Sequence, residues 1–227
     1  MTPETLKALV AARAEGREIA LATRLSDGAE RLIDLTLPPD DELDVLAVRA
    51  AARDESGPVE LQGETWFLNV FTPPVGLVSV GAVHIAQPLS RMAAAMGWTV
   101  TVIDPRTAFA SEARFPGVTL STAWPDEALR EIAVTSRTAV VTLTHDPKLD
   151  DLALRTALES RAFYIGALGS KKTHAARLGR LEAAGFAPER LTAIHGPVGL
   201  AIGARTPAEI AVSILADIVR ALRANTR

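Results

Sequence analysis

The 227-residue chain carries 24 Lys and Arg against 27 Asp and Glu, a net charge of −3, without the basic excess that binding to nucleic acid requires, so nucleic acid is not an expected partner. It contains no cysteine, which excludes disulfides, thiolate zinc sites, cysteine nucleophiles and persulfide chemistry on its own sulfur. No apolar run reaches the roughly 18 residues of a membrane span, and the opening MTPETLKALVAARAEG reads as an amphipathic helix with acids, not a signal peptide; no membrane is expected, and the expected compartment is the cytoplasm.

In chain order, residues 1–72 read as a small α+β unit. It comprises a helix near 3–15, strand REIALATRL, a turn at Asp27-Gly28, strand ERLIDLTL, a helix near 41–54, and a hairpin around Gln62-Gly63 that ends in WFLNVF. Pro73-Pro74 interrupts the pattern and marks the expected boundary. Over 75–227 strands alternate with helices: GLVSV, helix 85–96, WTVTVID, GVTLS, a short helix near 126–132, TAVVTLT, helix 148–159, AFYIGA, helix 171–184, LTAIH and helix 207–223. Such alternation predicts an α/β fold, a doubly wound parallel sheet with right-handed crossovers. Ile85, Leu89, Met92, Ala93 and Met96 share one helical face and are expected in the core, with Pro88 harmless in the first turn. Thr206-Pro207-Ala208-Glu209 is a capping box that opens the last helix, whose expected core face is Ile210, Ile214, Leu215, Ile218 and Leu222.

In a doubly wound sheet, ligands sit beyond the carboxyl ends of the strands. His84, His145 and His195 each follow a predicted strand, and His174 lies in the first turn after another. A single histidine is more often a satisfied polar residue than a working one, but four at one edge favour a shared site. We therefore expect His84, His145 and His195 to open onto one cleft, with Asp104 and Gly166 on its rim.

Gly81-Ala82-Val83-His84-Ile85-Ala86 is a partial dinucleotide fingerprint in which Val83 replaces the glycine that admits a pyrophosphate. Asp104, 23 residues after Gly81, stands near the spacing of an acid that holds ribose hydroxyls, and Arg106 offers a phosphate contact instead. The plain alternative is a tight turn followed by an exposed Asp-Pro-Arg turn. In YIGALGSKKTH, Gly166 and Gly169 free the backbone, Ser170 caps a helix, and Lys171 and Lys172 add charge at its positive end, an arrangement suited to an anion but lacking P-loop spacing. In LTHDPKLDD, Thr144, His145 and Asp146 border the same edge, and Asp146 reads first as an N-cap before Pro147. Gly199 lies in HGPVGLAIGART, a glycine-rich stretch expected to wrap the pocket.

The motifs GAVHIA, VIDPR, LTHD, FYIGALGSKKTHAARL and IHGPVGLAIGARTPAEIAVSIL, in this order over about residues 76–223, resemble the XdhC/CoxI family of xanthine dehydrogenase accessory proteins. The resemblance implies a Rossmann-like C-terminal domain and a maturation factor or chaperone for molybdenum hydroxylases, binding the molybdenum cofactor as molybdopterin or its dinucleotide and delivering it to the apoenzyme. It also leaves room for a sulfurase as a further partner and for a homodimer. The chain departs from the family at Gly81-Ala82-Val83-His84, where GxGH is common, and at Gly199-Leu200-Ala201-Ile202-Gly203-Ala204, where GLDIGA is common. It reads as a short form, because residues 1–72 lack the serine-, glycine- and cysteine-rich motifs of longer members, and without cysteine it cannot hold molybdenum by a thiolate. Three alternatives stand beside this reading. One is an NAD(P)-dependent oxidoreductase with Asp104 at the ribose and a histidine as acid/base, with Val83 as its weak point. Another is a metal site from His84, His145 and His195, which lacks close histidine spacing, so no metal is assigned. The last is a scaffold that binds only protein.

Overall fold

Side chains alternate in Ile19–Arg24 and Glu30–Asp34, so each strand presents one set of residues to either face; these strands are β1 and β2. With β3 (Gly57–Leu61) and β4 (Glu64–Phe71) they form an antiparallel sheet in the order β2-β1-β4-β3. The β3–β4 turn is Gln62-Gly63, both residues at positive φ (52° and 81°), as a two-residue hairpin matching the strand twist requires. α1 (Pro3–Ala14) packs Leu9 and Ala12 against Ile19. α2 (Glu42–Arg53) packs Leu43 and Ala47 against Ala20, Ala22, Ile33 and Leu68. The computed structural model describes residues 1–132 and 134–224; of the expected domain 75–227, residues 133 and 225–227 lie outside that range. Contacts divide the chain into two compact units, one of Met1–Pro73 with the chain from Arg223, the other Pro74–Leu222.

In the second unit the apolar runs form β5 (Gly76–Val80), β6 (Thr99–Ile103), β7 (Thr119–Ser121), β8 (Thr138–Thr142), β9 (Tyr164–Ala167) and β10 (Ile194–His195). All pair in parallel, in the order β10-β9-β8-β5-β6-β7. Counted within the unit and read from the β7 edge, this is the 3-2-1-4-5-6 order of a Rossmann sheet, with its direction of winding reversing between β5 and β8. Central strands buried on both faces read as continuous apolar sequence, and TAVVT is buried throughout. One face carries α3 (Ala86–Ala95) and α8 (Pro207–Ala224), which pack Leu89, Ala93, Ile214 and Ile218 against Leu77, Val102 and Val141. The other carries α4 (Pro125–Glu131), α5 (Pro147–Glu159), α6 (Lys171–Ala183) and α7 (Pro188–Leu191), which pack against Val80, Val140 and Ile165.

Two expectations meet the structure differently. LTAIH is not a five-residue strand: Leu191 ends α7, and only Ile194 and His195 pair with β9. Pro188 at the head of α7 explains the helix, because its fixed φ and missing N–H suit a first turn. Met96 lies beyond the end of α3 and is exposed, not part of the core face. The capping box at Thr206, by contrast, forms reciprocally, with Glu209 N–H donating to Thr206 Oγ1 at 3.2 Å and Thr206 N–H donating to Glu209 Oε2 at 2.9 Å.

Candidate functional site

The strand order puts the crevice at the carboxyl ends of β5 and β8, where consecutive crossovers depart to opposite faces. Gly81 follows β5 at φ +111°, and a Cβ built on it would lie 2.6 Å from Thr144 Cγ2. A bare Cα is therefore what lets the loops after β5 and β8 close on each other. His84 is exposed in the turn before α3, and His145 is exposed after β8 at φ +67°, a left-handed conformation rare for a residue with a side chain. These two histidines share the switch point. Val83, between Gly81 and His84, packs against the core on the α3 face.

His195 does not join them. It sits on the edge strand β10, and its imidazole lies against Tyr164, with ring centroids 4.3 Å apart, and 3.3 Å from the buried carboxylate of Asp217 on α8. Asp217 also accepts from Tyr164 Oη at 2.7 Å and from Arg220 at 2.6 Å. Strand alternation sends His195 to the α8 face, so the expected convergence of three histidines is reduced to two. His174 packs its imidazole against Gly196, where a Cβ would overlap its Nδ1 at 2.0 Å. Burial first, and then the charge of Arg177, hold the His174 pKa below the ordinary imidazole range.

Asp104 is at the expected place but not in the expected role. It is 0 % exposed, and it accepts from the Ala82 N–H at 2.8 Å, from the Arg106 N–H at 3.0 Å, and from the Arg106 guanidinium at 2.9 and 2.8 Å. Its carboxylate is spent on fixing the β5–α3 turn, which corrects its expected position on an open rim. Burial alone would raise its pKa, but the Arg106 guanidinium and the two backbone amides outweigh burial and lower it. Arg106 remains exposed, stacks over Phe109 at 4.7 Å, and feels the charges of Asp146 and Asp150.

Gly166 is buried within β9, which corrects its expected place on the rim; a Cβ on it would stand 2.5 Å from Val198 Cγ2, and one on Gly199 would stand 2.4 Å from Ser213 Oγ, so each bare Cα admits a neighbouring side chain. Asp146 caps α5, accepting from Lys148 N–H at 2.9 Å. Ser170 caps α6, accepting from Thr173 N–H at 3.1 Å, behind Gly169 at φ +144° and before the exposed Lys171.

Two buried charged residues under these loops were not anticipated. Asp150 on α5 accepts from Thr144 Oγ1 at 2.7 Å and from Thr144 N–H at 3.3 Å. Burial, partly offset by Thr144 and Arg177, raises its pKa. Arg177 on α6 is 2 % exposed and donates from Nη2 to Leu168 O at 2.8 Å and, more weakly, to Asp150 Oδ2 at 3.4 Å. Both occupy apolar helix faces, Asp150 beside Leu149, Ala153 and Leu154, and Arg177 one turn before Leu181. A charge at a core position of a helix was the available signal. Gly81, Thr144 and Gly169 thus follow β5, β8 and β9, with Arg106, Lys171 and Lys172 exposed beyond the same strand ends and Asp146 and Asp150 close to Arg106. Among the described residues no cluster of three or more His, Asp or Glu fit to hold a metal ion occurs, and no helix is long and apolar enough to cross a membrane.

The XdhC Rossmann domain model matches residues 77–218. A protein of Bacillus subtilis (strain 168) named as a probable subunit of xanthine dehydrogenase is 34% identical over 160 residues, covering 70% of this chain and 46% of its own. "Molybdenum cofactor insertion chaperone PaoD" of Escherichia coli (strain K12) is 33% identical over 157 residues, covering 67% of this chain and 43% of its own. The chain thus spans less than half the length of these curated relatives. A solved structure described as a xanthine dehydrogenase from Bacillus halodurans superposes with a TM-score of 0.74 at 24% identity, over 98% of this chain and 67% of that one, a likeness of fold. With more than half its length matched by that Rossmann domain, the chain belongs to the XdhC family.

Proposed function

We propose that the protein is a maturation factor for molybdenum hydroxylases of the xanthine or CO dehydrogenase type, which holds the molybdenum cofactor at the β5–β8 switch point and passes it to the apoenzyme. The observation that carries this reading is that Gly81, Thr144 and Gly169 follow β5, β8 and β9 at the carboxyl ends of one sheet, with Arg106 and Lys171 exposed beyond the same ends, inside the domain matched over residues 77–218, in a chain similar to a protein named as a molybdenum cofactor insertion chaperone. The residues fit a phosphorylated pterin, whose phosphate suits the helix start and whose ring edge suits the donors of His84 and His145. Lacking cysteine, the chain offers no thiolate to molybdenum, so the cofactor would be held through its phosphate and ring edge by the α6 turn, His84 and His145. The commitment of Asp104 to Ala82 and Arg106 weighs against the NAD(P) reading, which needs that acid at a ribose.

The test is to mix the purified protein with molybdenum cofactor, isolate the complex by gel filtration, and add it to a molybdenum-free hydroxylase. Co-elution and faster recovery of hydroxylase activity than with free cofactor are expected. Failure to retain cofactor, or tight calorimetric binding of NAD(P) with hydride transfer to a substrate, overturns the reading.

A further inference from the structure

Arg177 carries more hydrogen-bond donors than its surroundings satisfy. Its guanidinium is buried, yet Nε and Nη1 have no partner among the described residues, and the contact of Nη2 with Asp150 is long at 3.4 Å. The carboxylate it faces is already shared with the Thr144 hydroxyl at 2.7 Å. A buried cation short of acceptors is costly, so such a group is retained where something supplies them.

One unused donor, Nη1, lies close to the turn that opens α6. Nη1 lies 3.8 Å from where a Cβ on Gly169 would be, with Thr173 Cβ and Cγ2 at 3.1 Å from the same point, so glycine and the Thr173 side chain are what separate it from the turn. The conformation of Gly169, at φ +144°, is one that side-chain-bearing residues rarely adopt. The 13-residue helix that follows leaves first-turn N–H groups facing outward, and Ser170 Oγ engages the Thr173 N–H and hydroxyl. Lys171 and Lys172 stand exposed beside the turn. His174, its pKa depressed by burial and by Arg177, adds no cation.

We propose that this turn, with Arg177 beneath it, is a phosphate subsite: a phosphate or pyrophosphate group caps α6 over Gly169 and takes its remaining oxygen contacts from Arg177 Nη1. The ligand class is a phosphorylated small molecule, bound through its phosphate whatever the rest of it is. This deepens the cofactor-handling reading and rests on it for the ligand's identity, but the subsite itself does not depend on that reading.

The test uses inorganic pyrophosphate with the full chain. In nitrogen-15 spectra of wild type, pyrophosphate should shift the backbone amides of Gly169 and Lys171 and the Nε–H of Arg177 together and saturably. Arg177→Lys, which keeps the charge but loses the fork, should weaken binding about 10- to 150-fold, the range of one charge-assisted hydrogen bond. No binding, binding that leaves those signals still, or equal affinity in a folded Arg177→Lys protein overturns the proposal. Should that variant not fold, the wild-type spectra decide alone. Cofactor transfer that succeeds while pyrophosphate neither binds nor competes removes the subsite and spares the function. Saturable binding at Arg177 without cofactor transfer does the reverse.

Discussion

Gly81 and Thr144 meet across the switch point so closely that neither loop can be changed alone: a Cβ on Gly81 would stand 2.6 Å from Thr144 Cγ2 and 3.3 Å from the Thr144 nitrogen. Gly81→Ala is predicted to destabilise the chain by about 1–3 kcal/mol through this overlap and the φ of +111°. Thr144→Ser removes the obstructing methyl while keeping the hydroxyl on Asp150. The double variant should therefore lose clearly less stability in urea unfolding than the two single losses combined, and strict additivity would show that the contact is not what requires glycine.

Tyr164 is the only tyrosine of the chain, so its ionisation can be read directly. Burial, then the hydrogen bond to Asp217, push its pKa far above the ordinary phenol value. The phenolate absorbance should stay flat through about pH 10 and appear only as the protein unfolds. Because the folded pKa is raised, the associated stability is fully present below the unfolded pKa and is lost as pH rises above it. Tyr164→Phe should cost about 1.5–3 kcal/mol at neutral pH, the value of a hydrogen bond to a charged group. A normal phenol titration in the folded protein contradicts this.

His174 offers a local probe of packing. A Cβ on Gly196 would overlap its imidazole at 2.0 Å, so Gly196→Ala must expel the ring from its half-buried seat. Its pKa, held low chiefly by burial, should then rise toward the ordinary imidazole value when followed by proton NMR. An unchanged or lower pKa in a folded variant would show that the ring keeps its place.

Sequence periodicity was enough to read the sheet, because strands such as TAVVT are buried on both faces and helices such as α8 present a single apolar stripe. The capped start of α6 was equally legible, since a capping serine and a preceding glycine act locally. What sequence reading missed depends on tertiary direction. The outcome for Asp104 turned on whether its carboxylate faced outward or back to Ala82, and spacing from Gly81 is the same in both cases. His195 follows a strand as expected, but a strand end does not say which face its side chain takes, and Tyr164 and Asp217 claim it. Arg177 looks like any surface arginine until the register of α6 places it one turn from buried Leu181.

Asp104 and Asp150, both buried beneath the rim, are predicted to respond oppositely to pH. For Asp104 the Arg106 guanidinium and backbone amides overcome burial and lower the pKa, so its contribution to stability is present above the unfolded value of about 3.9 and is lost as pH falls through the folded one. For Asp150 burial prevails over Thr144 and Arg177 and raises the pKa, so its contribution is fullest below about pH 3.9 and is lost as pH rises through the folded value. Urea unfolding at a series of pH values separates them. Subtracting the Asp104→Asn curve from wild type should leave a stability difference that grows with pH in the acid limb, while subtracting Asp150→Asn should leave one that shrinks as pH rises above about 4. The second sign decides a physical question: if the ion pair with Arg177 outweighs desolvation, the Asp150 difference will grow instead. That outcome would mean Arg177 is already neutralised by its carboxylate and has little attraction left for a phosphate.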